Sequence, residues 1–211
     1  MEKIRIAVLV SGGGTNLQAL IDAEKRGELP SGELVLVVSN KKDAYALTRA
    51  KDAGIEAVYI PRTKKDGGAA FEKKLEALLE ERKIGLIVLA GFLSILSADL
   101  TKRYPERIIN IHPALIPAFC GKGYYGLHVH EKVLERGAKV TGATVHFVDE
   151  DLDHGPILLQ KAVEVREGDT PQALQRRVME EAEWLLLPEA ISLIAQGRVS
   201  IDDKGLTHIK Q

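Results

Sequence analysis

The sequence predicts an α/β protein built on a doubly wound, mostly parallel sheet, and three observations carry that prediction. Short apolar runs bounded by glycine or proline alternate with stretches whose apolar residues recur at helical spacing, the pattern of strands covered by helices on both faces. The first run, Arg5 to Val10, passes directly into Ser11-Gly12-Gly13-Gly14-Thr15-Asn16 and then into a helical stretch. Near the C-terminus, two β-rich segments flank one polar turn and precede a long amphipathic helix. The 211 residues, 45% of them hydrophobic, are enough for a substantial core.

The elements come in simple alternation. After the strand Arg5 to Val10, residues Asn16 to Arg26 form a helix with Leu17, Leu20 and Ile21 on one face and Gly27 as its stop. Glu33 to Ser39 is the second strand, and Asp43 is the expected cap of a helix through Ala53, ended by Gly54. Ala57 to Ile60 is the third strand, stopped by Pro61. Gly67-Gly68 opens a helix with Phe71, Leu75, Leu78 and Leu79 on one face, and Leu86 to Ala90 is the fourth strand. Ile108 to Pro113 is the fifth. Residues 113–126, with two prolines, three glycines and two adjacent tyrosines, form a fourteen-residue loop of the length usual for lids. A helix from Leu127 to Arg136 comes next, then the segments Val140 to Val148 and Ile157 to Val165. Pro171 to Ala195 is one long helix started by Asp169-Thr170-Pro171, and Val199 to Ile201 with Leu206 to Ile209 closes the chain as a hairpin.

Charge and cysteine content exclude several classes. With 29 basic and 30 acidic residues the net charge is -1, so no global field attracts nucleic acid or an anionic membrane, and an anionic ligand must be held locally. Cys120 is the single cysteine, which rules out an internal disulfide and a cysteine-based metal cluster and suits a reducing compartment. No run is long enough for a membrane span or placed as a secretion signal, so a cytoplasmic location is expected. A homodimer is compatible with the sequence, although no exposed patch identifies an interface.

Two stretches carry the chemistry. Asn110 and His112 are polar anomalies in a β-branched strand; two residues apart, they project from one face at the strand end where α/β proteins keep their sites. An amide and an imidazole placed this way can both donate to one oxygen. The turn Asp149-Glu150-Asp151-Leu152-Asp153-His154-Gly155-Pro156 holds four acids and a histidine, but its spacing is not that of a calcium loop and no metal site is expected. In the glycine loop, backbone N–H groups and the start of the first helix are arranged for an anion. Leu17 stands where a dinucleotide fingerprint needs its third glycine, Ser39-Asn40 where it needs an acid, and no Gly-Lys-Ser/Thr comes after, so a single phosphate fits best. Lys122, between Gly121 and Gly123, can reach an anion, and Cys120 has no activating partner in sequence.

Ser11-Gly12-Gly13-Gly14-Thr15-Asn16-Leu17, Ala90-Gly91-Phe92-Leu93, Asn110-Ile111-His112-Pro113 and the long block from Gly142 to Pro156 together resemble the glycinamide ribonucleotide formyltransferases, folate-dependent enzymes of purine synthesis. The blocks occur in the family's order across most of the chain. The resemblance implies a Rossmann-like formyltransferase fold in one domain, 1–211, with a phosphate-binding half of about 1–107 and a catalytic and folate half of about 108–211. It implies transfer of the formyl group of 10-formyltetrahydrofolate to the amine of glycinamide ribonucleotide without a metal. Asn110, His112 and Asp153 would be catalytic. Gly13, Gly14, Thr15 and Asn16 would hold the phosphate and Glu183 the ribose hydroxyls. Phe92, Leu93, Ser94, Ile95 and Leu96, with Asp149, Glu150, Asp151 and Leu152, would form the folate pocket. Ser94 stands where the family often has a basic residue, and the loop from Phe119 to Tyr125 is longer than the common version.

The chemistry accounts for these residue types. An amine is its own nucleophile, so no activated serine or cysteine is required. Attack places negative charge on the formyl oxygen, where Asn110 and a protonated His112 would donate, while Asp153 would orient the imidazole, favour its charged form and relay protons. Two rivals remain: a formyltetrahydrofolate hydrolase, expected to carry an additional N-terminal domain, and a phosphate-ligand binding module without activity. A tRNA formylase would need a basic C-terminal extension.

Overall fold

The computed structural model describes residues 3–63 and 68–210. The chain divides into two compact units, Met1–Ile109 and Asn110–Gln211. In the first, β1 (Ile4–Val10), α1 (Thr15–Lys25), β2 (Gly32–Ser39), α2 (Tyr45–Asp52), β3 (Glu56–Tyr59), α3 (Ala69–Glu81) and β4 (Leu86–Leu89) keep to the predicted alternation, and α4 (Ala98–Arg103) is added. Ile6, Ala7, Val8, Leu9 and Val10 are all fully buried. Successive strand residues face opposite ways, so burial of every one means that helices cover both faces of β1.

The sheet has seven strands in the order β3-β2-β1-β4-β5-β6-β7, with β5 at Ile108–His112, β6 at Val140–Phe147 and β7 at Ile157–Glu164. Strand β1 pairs in parallel with β2 and with β4, and β2 pairs in parallel with β3. The winding thus runs outward from β1 to β3 and restarts at β4 on the other side of β1. Doubly wound sheets open a ligand crevice at such a reversal, beyond the carboxyl ends of the strands. The glycine loop leaves β1 at that point.

Two expectations in this unit need revision. Asp43 is not the cap of α2: the cap residue is Ala44, which makes no side-chain cap bond. The first turn is held by a tertiary contact instead, Ala46 N–H donating to the Gly12 carbonyl at 3.1 Å. Helix α4 was not anticipated; at six residues it is too short to display a period, although Ser97 Oγ caps it by accepting from Leu100 N–H at 3.2 Å. Gly67 lies outside the described residues, and Gly68, at φ 98°, caps α3.

In the second unit the loop 113–126 leads to α5 (Leu127–Glu135), and β6 and β7 pair antiparallel around the acidic turn. The expected long helix from Pro171 to Ala195 forms without a break, as α6 (Pro171–Val178), a π-helical turn (Met179–Glu183) and α7 (Trp184–Ala195). Thr170 Oγ1 caps α6 by accepting from Ala173 N–H at 3.2 Å. A π turn spaces residues differently from an α turn and shifts the face that α7 presents; such insertions concentrate at functional sites. Glu183 ends this turn and is 6% exposed. Strands β8 (Val199–Ile201) and β9 (Thr207–Ile209) form the terminal hairpin.

Gly142 in β6 marks the closest approach: a Cβ there would lie 2.0 Å from the Lys161 carbonyl oxygen and 2.8 Å from a Leu115 methyl. Gly142→Ala is expected to destabilise the protein by about 2 kcal/mol through overpacking. Urea denaturation measures it, and a midpoint equal to that of the parent would refute the close approach.

Candidate active site

The isoleucines on either side of Asn110 anchor the end of β5. Ile108 and Ile109 are 0% exposed, Ile111 5% and His112 4%. His112 Nε2–H donates to the Phe119 carbonyl at 2.9 Å, and its Nδ1 lies 3.7 Å from Asp153 Oδ2. Asp153 Oδ2 also accepts from Gly121 N–H at 2.8 Å, and its Oδ1 lies 3.6 Å from His146 Nε2. His146 Nδ1–H donates to the Phe147 carbonyl at 2.8 Å, leaving Nε2 to accept from Asn110 Nδ2 at 3.1 Å. Asn110, His112 and Asp153 therefore come together, with His146 between the first and the last.

Local backbone geometry delivers these groups. The register of β6 against β7 shifts between Val145 and His146, so Leu158 is the extra residue of a bulge beside His146. The turn closes through Phe147 N–H to the Pro156 carbonyl at 2.8 Å, and Asp151 N–H bonds Asp149 Oδ1 at 3.0 Å. A Cβ on Gly155 would lie 2.1 Å from the Phe147 carbonyl oxygen, so only glycine lets the turn fold back this tightly. Apart from buried Gly155 the rest of the turn is half-buried or exposed, but the Asp153 side chain is 7% exposed, at a backbone φ of 55°. The root of the long loop is pinned as well. Thr144 Oγ1 donates to the Ala114 carbonyl at 2.7 Å and accepts from Ile116 N–H at 3.1 Å, and Gln160 Nε2 donates to the Ile116 carbonyl at 2.9 Å.

Electrostatics revise one expectation. Burial pushes the His112 imidazole below its ordinary value; the Asp153 charge and the Phe119 bond oppose this without overcoming it, and His146 adds to the lowering. His112 is thus a neutral imidazole with its proton on Nε2, and it donates to an oxygen without being charged. For Asp153, burial raises the carboxyl, but His146, His112 and the Gly121 N–H together hold it below the usual range. The anionic carboxylate faces the unprotonated Nδ1 of His112 and stabilises any proton that arrives there.

His146 and the Phe119 carbonyl were missed from sequence. The signal for His146 was present: in the apolar strand Thr144-Val145-His146-Phe147, it is a polar anomaly of the same kind as Asn110 and His112. The Phe119 carbonyl, a backbone group in a loop, has no sequence signal.

In the first unit, Ser11 Oγ donates to Asn40 Oδ1 at 2.8 Å and accepts from Leu93 N–H at 2.9 Å, while Asn40 Nδ2 donates to Ser94 Oγ at 2.7 Å. Asn40, noticed because it is not an acid, ties the end of β2 to the start of the glycine loop and to the segment after β4. Ser94 is its anchor. In that segment Leu93 and Ile95 are 59% and 61% exposed, whereas Leu96 is buried and the Phe92 ring stacks on Phe71 at 5.8 Å. In the glycine loop, Gly14 is the cap of α1, at φ 72°. Having no side chain, Gly14 makes no side-chain cap bond to α1.

Among the described residues, no group of three or more His, Cys, Asp or Glu side chains is placed to hold a metal ion, and no helix is long and apolar enough to cross a membrane.

The fold and the cluster at the end of β5 define a formyl transferase: residues 4–191 match the family model of that description, and the chain belongs to this family. Within it, the chain is 39% identical over 202 residues to the phosphoribosylglycinamide formyltransferase of Escherichia coli, covering 96% of this chain and 92% of that one. It is 43% identical to the trifunctional purine biosynthetic protein adenosine-3 of Gallus gallus, over 96% of this chain but 20% of that longer protein. The crystal structure of glycinamide ribonucleotide transformylase 1 from Symbiobacterium toebii superposes with a TM-score of 0.91 at 42% identity, covering 99% of this chain and 95% of that one.

His130 in α5 is 0% exposed and neither ring nitrogen has a hydrogen-bond partner among the described residues. Burial and the nearby His112 push its pKa from 6.5 down to about 4. The unfolded chain binds this proton more readily than the folded one, so stability rises with pH between the two values. It is complete above about pH 6.5 and diminishes by an amount of order 3 kcal/mol as pH falls to about 4. Denaturant midpoints measured across this window are expected to fall steeply in the parent and less steeply in His130→Leu; parallel curves would contradict it.

Proposed function

We propose that this chain transfers the formyl group of 10-formyltetrahydrofolate to the amine of glycinamide ribonucleotide in the cytoplasm, as a step of purine biosynthesis. The observation that carries the reading is the convergence of Asn110, His112 and Asp153 at the end of β5. Membership of the formyl transferase family supports the chemistry, and likeness to phosphoribosylglycinamide formyltransferases along nearly the whole chain supports the substrate.

Each residue has a task. The amine nitrogen forms a bond to the formyl carbon, the bond from that carbon to the folate nitrogen breaks, and the proton lost by the amine ends on the folate nitrogen. Negative charge on the formyl oxygen is met by His112 Nε2–H and by the second Nδ2 hydrogen of Asn110, the first being engaged by His146. His146 fixes which way the Asn110 amide faces. Asp153 supports a proton on His112 Nδ1 and passes protons between amine and folate nitrogen.

In the first unit, Gly13, Gly14, Thr15 and Asn16 hold the phosphate, and in the second Glu183 receives the ribose hydroxyls. For the folate, exposed Leu93 and Ile95 in the first unit and Leu152 in the second, 45% exposed, are apolar surfaces suited to a flat ring. In the segment of the first two, Phe92 stacks on Phe71, Leu96 is buried and Ser94 is tied to Asn40, and in the second unit Asp149, Glu150 and Asp151 offer polar groups.

The test is to incubate the protein with 10-formyltetrahydrofolate, with and without glycinamide ribonucleotide, and to quantify tetrahydrofolate, formylated ribonucleotide and formate. Formylated product equal to tetrahydrofolate is expected, with a rate at least about a hundredfold lower in Asp153→Asn. Formate released without the ribonucleotide would make the chain a hydrolase, and ligand binding with no turnover would make it a binding module.

A further inference from the structure

Arg49 lies outside every stretch that the proposed chemistry uses, yet its side chain grips the glycine loop. Its Nε–H donates to the Gly13 carbonyl at 2.8 Å and Nη1 to Gln18 Oε1 at 2.9 Å, and its guanidinium carbon sits 4.9 Å from the centre of the Tyr45 ring. Gln18 is held in turn by its bond to Asp22 Oδ1 at 3.0 Å. One turn earlier on α2, Ala46 N–H donates to the Gly12 carbonyl at 3.1 Å.

Two adjacent carbonyls of the loop are therefore drawn toward α2. In a planar trans peptide the carbonyl and the next residue's N–H point in opposite directions. Tying back the carbonyls of Gly12 and Gly13 consequently aims the N–H groups of Gly13 and Gly14 away from α2, where successive amides form an anion-binding concavity. Packing does not impose this orientation on Gly12 or Gly13, because a Cβ on either would meet nothing within 4 Å. Gly14 is different: its φ is 72° and a Cβ would lie 2.6 Å from the Ala46 Cβ, so it is fixed where it stands. With free glycine torsions on one side and a fixed residue on the other, the two carbonyl bonds decide where the amides point.

We propose that Arg49 is a positioning residue for the phosphate-binding loop, acting through the Gly13 carbonyl to aim the loop amides at the phosphate. This rests on the reading of the glycine loop as the phosphate site. The role needs the planar fork as well as the charge, since one guanidinium must reach the Gly13 carbonyl and Gln18 together; a lysine ammonium keeps the charge but lacks that geometry.

Steady-state kinetics of Arg49→Met and Arg49→Lys test this, with inorganic phosphate as a probe of the loop. Both variants are expected to raise KM for the ribonucleotide and Ki for phosphate by about tenfold, in parallel, with kcat and KM for 10-formyltetrahydrofolate within about twofold of the parent. Melting curves establish that the variants fold, and Arg49→Lys serves if Arg49→Met does not. Phosphate that competes equally well in parent and variants would overturn the role of Arg49. Parent-like behaviour of Arg49→Lys alone would overturn the tether, since charge would then suffice. Phosphate that fails to compete with the ribonucleotide in the parent would remove the phosphate site itself, and the proposal with it.

Discussion

Burying a carboxylate costs free energy that hydrogen-bond donors offset only in part, and the second unit brings three segments together around the one at Asp153. Its oxygens face the Gly121 N–H, His146 and His112 from three separate segments. Each of those segments is shaped for it. The β6 bulge lies at His146, the tight return at Gly155 brings Asp153 back, and the Thr144 and Gln160 bonds fix the root of the loop that carries Gly121. Loss of the carboxylate charge would thus loosen three elements at once.

The same cluster shows how the two donors proposed to meet a transient oxyanion survive burial. His112 Nε2–H donates to the Phe119 carbonyl, and Asn110 donates to His146, so neither group is left bare in the interior. An incoming oxygen that replaces the Phe119 carbonyl exchanges one hydrogen bond for another, which makes its entry nearly neutral in desolvation. Phe119 is also held at φ 51°, a left-handed conformation that costs a bulky residue about 1 kcal/mol or more. Release of that strain favours the exchange. Loop and ligand thus compete for one proton on one nitrogen.

Much of this was legible in the sequence, and the reasons are local. Alternation along β5 placed Asn110 and His112 on one face without any tertiary information, because the strand period is fixed by the backbone. The glycine turn after β1 and the helix that starts from it were legible because glycine torsions and a helix start are properties of the segment itself. The features that escaped depend on distant partners. Asp43 has the right chemistry for a cap and lost the role to a contact between α2 and the Gly12 carbonyl. The π turn before Trp184 leaves no composition signal.

The formyl donor raises a selectivity problem that the cluster also addresses. A thiolate is a stronger nucleophile than an amine, and Cys120 lies between Phe119 and Gly121, the two residues that bond His112 and Asp153. Burial raises the Cys120 thiol above its ordinary value, and the negative charge of Asp153 raises it further. Its Sγ–H is also engaged by the Pro117 carbonyl at 3.3 Å. The thiol therefore stays protonated and unreactive at neutral pH. The carboxylate proposed to carry protons for the amine also adds to the upward push on a neighbouring thiol, so in that reading one buried anion would act on both the rate and the choice of acceptor.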